Sequence, residues 1–361
     1  MWLTGWAKRI KITADNTVVD SDLSHFPLTV RLGTAVGIGD VDTSCVFDEL
    51  TSDANRKKIA VTKADGETQL YVEIEQWDDA NEKAVLHCGI TGDTLSSASD
   101  TEYYLYYDVD HADNTDYVGD TNSVVAESVW DANFEAVYHL ADGASTSATY
   151  DSTSNDLDGV KKGANEPNEV DGKIAKAQDF DGTDDYIDMG DVLDPLTNDF
   201  TVTAWIKLNN YDDWNQVVAK SSGGNGFITM TQQTTGELRI RLGSTANKIG
   251  IAVVPLDTWT HITYVFDRSA NCIGYINGTE IGTLDISGES SSIDVADTFK
   301  IGLTATSYID GTIDEARTST IVRTTAWIKV SYNSGNDSLL TYGSEETAPS
   351  VDTGNFFQLF N

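Results

Sequence analysis

Two of the stretches that set acids two residues apart are Glu73-Ile74-Glu75 and Glu169-Val170-Asp171. Alternate residues of a strand share a face, so each pair could present two carboxylates together. Glycoside hydrolysis needs such a pair, with carboxyls about 5 Å apart for retention or roughly 6.5–9.5 Å for inversion. Neither pair makes a strong case. Gly172, Lys173 and Ile174 follow the second, so no third acid continues the row. The first reads as the solvated edge of a strand. No Gly-x-Ser-x-Gly elbow, phosphate loop or His-Glu-x-x-His helix occurs. The 5 His are scattered singly, so no zinc site is expected. Carboxylates can still converge from distant strands, but the sequence reads as non-enzymatic.

Oxygen-rich loops offer other chemistry. Calcium takes six to eight oxygens, largely from Asp side chains and backbone carbonyls. The loop 151–158 supplies Asp151, Asn155, Asp156 and Asp158. The same residue types also build turns through side-chain to backbone bonds, and both readings stand. The run Asp108, Asp110, Asp113, Asp116 lacks the Gly and closing Glu of an EF-hand loop and reads as a solvated linker. Sugar binding asks for aromatic rings beside amides and carboxylates on exposed loops. The best such cluster is 211–216, with Tyr211, Asp213, Trp214 and Asn215 as candidate carbohydrate contacts. The alternative is that Trp214 folds back as a lid on the core.

The elements that would carry these groups are strands. Residues 8–13 alternate, and Phe26, Leu28, Val30 and Leu32 share one face of the next run. Stretches 69–77, 83–90 and 102–107 continue the pattern. The segment 108–120 is acidic and polar, which places a domain boundary near residue 125. Beyond it, Phe200, Val202, Ala204, Ile206 and Leu208 line one face of a strand, and 260–266 forms another. Asn277-Gly278 between two β-prone runs predicts a tight hairpin, because both turn residues accept positive φ. No window shows a useful helical period. The expected fold class is all-β, with two β-sandwich domains.

Length and composition agree. A chain of 361 residues is more than one core usually holds. The 58 acidic residues against 23 basic ones give a net charge of −35. Such a surface repels nucleic acid and anionic membranes, and suits a salty setting where ions screen it. No apolar run of about 18 residues is present, so membrane insertion is not expected. Residues 1–17 hold no apolar leader core, so the chain is expected to lack a secretion signal unless one was removed upstream. Three cysteines, Cys45, Cys88 and Cys272, have no metal-type spacing and read as small apolar residues. The tail, 345–361, ends in Phe356-Phe357-Gln358-Leu359-Phe360, read either as a peptide docked on its own domain or as a partner-binding tag.

From Ala136 onward the chain resembles the concanavalin A-like, LamG-type jelly roll in its bacterial and phage form. The motifs are Ala136-Val137-Tyr138-His139-Leu140, Asp179-Phe180-Asp181-Gly182-Thr183-Asp184-Asp185-Tyr186, Asp257-Thr258-Trp259-Thr260-His261 and Ile309-Asp310-Gly311-Thr312-Ile313-Asp314-Glu315-Ala316-Arg317. Related glucanases carry Glu-x-Asp-x-(x)-Glu on one strand, a row that Glu169 and Asp171 do not complete. The resemblance implies a jelly roll over 126–346. It also implies a structural calcium ion held where Asp151, Asn155 and Asp158 meet Asp314. The first part, 1–125, is similar to the uncharacterised β-domain DUF2341, on Trp6, Phe26-Pro27-Leu28, Glu75-Gln76-Trp77-Asp78 and Val129-Trp130-Asp131. No activity follows from that likeness.

Together these readings give a virion or surface display protein, a phage capsid or tail decoration, with a glycan-binding jelly roll. The alternative is a secreted carbohydrate-binding or adhesion protein of a marine microbe; a glycoside hydrolase ranks below both. Expected partners are host-surface glycan and other virion or surface proteins, with a homo-oligomer left open. The expected location is the virion surface or the extracellular space.

Overall fold

The computed structural model describes residues 1–143, 146–163 and 166–349; the aromatic tail lies outside them. Strands dominate, as the alternation requires. Lys8–Ala14 buries Ile10, Ile12 and Ala14, and Leu28–Leu32 buries Leu28, Val30 and Leu32, all in one core.

The first domain is an eight-stranded sheet. Its main path runs Leu340–Thr347, Lys8–Ala14, Thr101–Tyr107, Ile59–Lys63, Gln69–Asp78, Lys83–Gly89 and Leu28–Leu32. Val118–Asp120 adds in parallel to Gln69–Asp78. The sheet curls until its two edges meet: Arg31 N donates to the Tyr342 hydroxyl at 3.1 Å, and Ile38 N donates to Leu340 O at 2.7 Å.

One strand of this sheet comes from the far end of the chain. Leu340–Thr347 pairs antiparallel with Lys8–Ala14, with Lys8 opposite Thr347. The helix Thr325–Gly335, which the sequence pattern does not reveal, precedes it. Thr324 caps this helix by accepting from Trp327 N. Ala326, Trp327 and Val330 enter the first core, while Ile328 on the opposite face meets Val265 and Tyr275 of the jelly roll. The boundaries at 125 and 346 therefore shift. The first domain holds 1 to about 133 and 324–347, and the jelly roll is inserted between them. The segment 108–120 is not a linker. Asp108 is buried and accepts from Ala7 N, and Val118–Asp120 is a strand of the sheet.

The jelly roll packs two eight-stranded sheets. The inner sheet holds Asn168–Asp171, Lys176–Asp181, Asp310–Ser319, Phe200–Leu208, Thr260–Phe266, Asn271–Ile276 and Thr279–Asp285, with Phe134–Tyr138 beside Asp310–Ser319. The outer sheet runs Ala148–Thr149, Gly159–Lys162, Tyr186–Asp188, Lys300–Ile301, Asn215–Ser222, Asn225–Thr231, Glu237–Leu242 and Thr245–Val253. Phe200, Val202, Ala204, Ile206 and Leu208 face the core between the sheets, as their spacing predicts. Asn277 and Gly278 both take positive φ, 50° and 74°, in the expected hairpin.

The other face of Phe200–Leu208 is also covered. Trp205 packs with Val85 of the first domain and with Ile174. The inner sheet therefore has the jelly-roll core on one side and the first domain on the other. Where the chain enters and leaves the jelly roll, Arg323 donates two bonds to Asp131, at 2.8 and 2.9 Å. Its guanidinium lies 4.4 Å from the Phe134 ring centre and 4.1 Å from that of Trp327.

Candidate functional site

The four residues expected to bind sugar divide into two pairs. Asn215 is buried: its Nδ2 donates to Asn210 O at 3.0 Å and its Oδ1 accepts from Asp310 N at 3.1 Å. The Tyr211 hydroxyl is tied to Val254 O, and its ring lies against Gly236. Both hold the loop and are removed from the sugar-contact set. Trp214 and Asp213 remain. Trp214 is half-buried on the side of the outer sheet away from the core, against Ala219, Ile228 and Met230. The Arg239 guanidinium lies 5.0 Å from its ring centre. Asp213 Oδ1 accepts from Trp214 N at 2.7 Å and from Ser307 Oγ at 3.4 Å. Alternation places Arg239 and Arg241 on this face, because Leu238, Ile240 and Leu242 face the core. That alternation is the sequence signal for Arg239, which a reading of the loop by itself does not reach.

The expected calcium set is not one site. Asp151 is consumed by its own turn, accepting from Val137 N, Thr153 N, Thr153 Oγ1 and Leu157 N at 2.8–3.1 Å. Asp158 Oδ1 accepts from Asp151 N, and Asn155 Nδ2 donates to the carbonyls of Phe134 and Glu135. Asp314 turns elsewhere, where its Oδ2 accepts from Lys173 N at 2.7 Å and Ile174 N at 2.8 Å. Backbone N–H groups and the Thr153 hydroxyl take the Asp151 oxygens, and Asp314 spends Oδ2 on a different loop. Asp181, Asp184 and Asp185 do bring carboxylate oxygens within 4.8 Å of one another, on a separate loop.

A dense collection of titratable groups lies between the domains, where the reading of the sequence placed no site. Glu73 and Glu75 are not a solvated edge. Their side chains, like that of His87, have no exposed surface, and those of His139 and Glu315 are each 2 % exposed. Glu73 and Glu75 come from Gln69–Asp78 and His87 from Lys83–Gly89, all on the face turned away from the first core. His139 follows Phe134–Tyr138, and Glu315 sits in Asp310–Ser319.

Two bulges aim the acids. Pairing between Gln69–Asp78 and Lys83–Gly89 shifts register between Ile74 and Gln76, leaving Glu75 as the extra residue. Pairing of Asp310–Ser319 with Phe200–Leu208 shifts in the same way, and Glu315 takes φ 54°. Ile313 and Ala316 still face the jelly-roll core, so Asp314 and Glu315 both point away from it. Positive φ is uncommon for a residue with a Cβ and tends to be held where function requires it.

The distances are short. Glu75 Oε2 is 2.8 Å from His87 Nε2, and His139 Nδ1 is 2.6 Å from Glu315 Oε1. The cross distances are 3.8 Å for His87 Nε2 to Glu315 Oε1 and 3.7 Å for His139 Nδ1 to Glu75 Oε2. The two imidazoles stack, with centres 4.5 Å apart. Burial pushes the Glu75 carboxyl well above its usual range, against the pull of His139. Burial works the same way on Glu315, but Arg317 and His139 outweigh it and hold that carboxyl far down. Burial depresses His87, and His139 adds to this. For His139 the surrounding Glu315, Glu73 and Glu75 overcome burial and raise it.

A family model described as the concanavalin A-like lectin/glucanases superfamily matches residues 181–343. No curated protein matches the chain. Among solved structures, domain 4 of an extracellular arabinanase from Geobacillus stearothermophilus, in complex with arabinotriose, is 22% identical. That likeness covers 56% of this chain and 98% of the other, with a TM-score of 0.46. The binding domain of Paraclostridial Mosquitocidal Protein 1 is 18% identical, over 56% of this chain and 52% of the other, also at 0.46. The binding domain of Botulinum Neurotoxin DC, in complex with SialylT, is 13% identical over the same shares, at 0.45. The chain spans about half the length of these two toxin domains. The two packed sheets have the jelly-roll fold, and the match to the concanavalin A-like family model covers 181–343 of the chain that builds them.

Proposed function

We propose that the chain is a non-enzymatic display protein, of a virion or an extracellular surface, whose jelly roll binds glycan through the open face of its outer sheet. One observation carries this reading. The first domain and the helix Thr325–Gly335 cover the inner sheet, leaving the outer sheet's far face open with a half-exposed Trp214. An indole with Arg239 over its ring and Asp213 beside it has the parts a pyranose asks for: apolar aromatic surface and charged groups to read hydroxyls. The absence of catalysis is supported by what happens to the acid pairs. Glu73 and Glu75 are sealed from substrate between the domains. Asp171 pairs with Lys176 at 2.7 Å, and Glu169 Oε2 accepts from Gly143 N at 2.6 Å.

The test is a glycan array that includes arabinan oligosaccharides, comparing the native chain with Trp214→Ala and Arg239→Ala. Binding by the native chain that falls at least tenfold in both variants, about 1.4 kcal/mol, is expected. Failure to bind any glycan sinks the proposal. Recovery of the protein on purified virus particles, rather than free in culture medium, distinguishes virion display from a secreted adhesin.

A further inference from the structure

The buried centre between the domains lies far from the sugar face and owes nothing to it. We propose that Glu75, His87, His139 and Glu315 form a four-coordinate site for one divalent first-row transition ion, zinc foremost, that fastens the jelly roll to the first domain.

Four observations support it. Each domain supplies two ligands: Glu75 and His87 from the first, His139 and Glu315 from the jelly roll. The four ligand atoms all lie within 4.8 Å of one another. Their consecutive separations of 2.8, 3.8, 2.6 and 3.7 Å straddle the edge of about 3.3 Å expected for a tetrahedron with bonds of about 2.0–2.1 Å. Small shifts of side chains would equalise them.

A polar atom is also left over. Glu75 Oε1 is buried without a hydrogen-bond partner. An orphaned buried acceptor costs about 1–3 kcal/mol, and a cation beside Glu75 would satisfy it.

The surroundings are those of a metal centre, where outer carboxylates orient the ligating imidazoles. Glu73 Oε1 lies 3.4 Å from His139 Nε2, the nitrogen that would not bind the ion. Glu73 is itself fixed by Trp130 Nε1 at 2.8 Å and Ser152 Oγ at 2.7 Å. Thr29 Oγ1 lies 3.4 Å from His87 Nδ1, again the free nitrogen. Arg317 Nε donates to Glu315 Oε2 at 2.8 Å, leaving Oε1 for the ion.

Charge closes the case. With neutral imidazoles, a divalent ion and Arg317 offset the charges of Glu73, Glu75 and Glu315. Two imidazoles and two carboxylates suit zinc and its neighbours, whereas calcium takes oxygen alone.

Because the ligands are buried, loading should accompany folding. The full chain is unfolded in denaturant with chelator, then refolded with zinc, with cobalt, or without metal. After desalting, metal content and thermal midpoint are measured. Expected are one zinc per chain, a midpoint raised by zinc, and visible d–d bands of tetrahedral geometry from cobalt. Glu75→Gln and His87→Asn should abolish all three, while Glu73→Gln should weaken affinity by about 10–100-fold. The native chain decides the matter even if the variants misfold. A refolded native chain with no retained zinc or cobalt and an unchanged midpoint overturns the site and leaves a hydrogen-bonded ion cluster. Retention undiminished in variants that fold overturns the ligand assignment.

Discussion

Stopping the chain after Arg323 should unfold the first domain and spare much of the jelly roll. The cut removes the helix Thr325–Gly335 and the strand Leu340–Thr347. With them go the buried side chains of Trp327, Ile328, Val330, Leu339, Leu340 and Tyr342. At about 1.5–3 kcal/mol for each large apolar side chain, the loss is roughly 9–18 kcal/mol. A compact unfolded state trims that by roughly 10–40%. What remains matches or exceeds the 5–15 kcal/mol that typically holds a domain together. Lys8–Ala14 would also lose its partner and become a bare edge. The control stops after Thr347 and so keeps the last strand whole. Hydrogen exchange read by mass spectrometry distinguishes the two. The control should protect Lys8–Ala14 and Thr101–Tyr107, and the shorter chain should lose that protection while keeping it in Phe200–Leu208. Full protection of Lys8–Ala14 in the shorter chain would refute the argument that the last strand completes the first sheet.

Two further perturbations act on buried groups. Replacing Arg323 with Met keeps bulk but strands Asp131; removing one partner of a buried pair costs about 3–5 kcal/mol. Urea melts should show that loss, and a change under about 1 kcal/mol would contradict it. His261 is fully enclosed, so burial, with Arg317 adding, lowers its pKa to about 3. Its folded pKa lies below the unfolded value of about 6.5, so its contribution is intact above pH 6.5 and lost as pH falls toward 3. The loss reaches about 2 kcal/mol by pH 5. His261→Gln should therefore be less acid-sensitive than the native chain between pH 7 and 5; equal sensitivity would show that His261 is not the group responsible.

Much of the fold was legible because it is local. Alternation in Phe200–Leu208, positive-φ residues at Asn277-Gly278 and the family motifs each depend on neighbours along the chain. The last strand was not read from the sequence, since Leu340 and Tyr342 specify only a short buried face and name no partner. The helix escaped because it packs on two sides: Trp327 and Val330 face one domain and Ile328 the other, which blurs a single apolar stripe. The buried centre failed for a related reason. Glu73-Ile74-Glu75 alternates as an exposed edge would, and only the inserted jelly roll turns its polar face inward. A hint lay in Lys83–Gly89, where Ala84 through Gly89 are all buried, the mark of a strand covered on both faces. Asp151 and Asn155 show the converse. Their types suit an ion, but four donors from nearby backbone and a threonine claim Asp151 first.

The pairing of Lys8 with Thr347 has a mechanical consequence. Tension applied between those two residues would peel Lys8–Ala14 from Leu340–Thr347 one hydrogen bond at a time, a weak direction for a sheet. The same tension would bypass the jelly roll, whose entry and exit are tied together by Asp131 and Arg323. A ligand pulling on the outer sheet would instead load that neck and the contacts around Trp205. Force applied at the chain ends and force applied at the outer sheet would therefore travel by different routes.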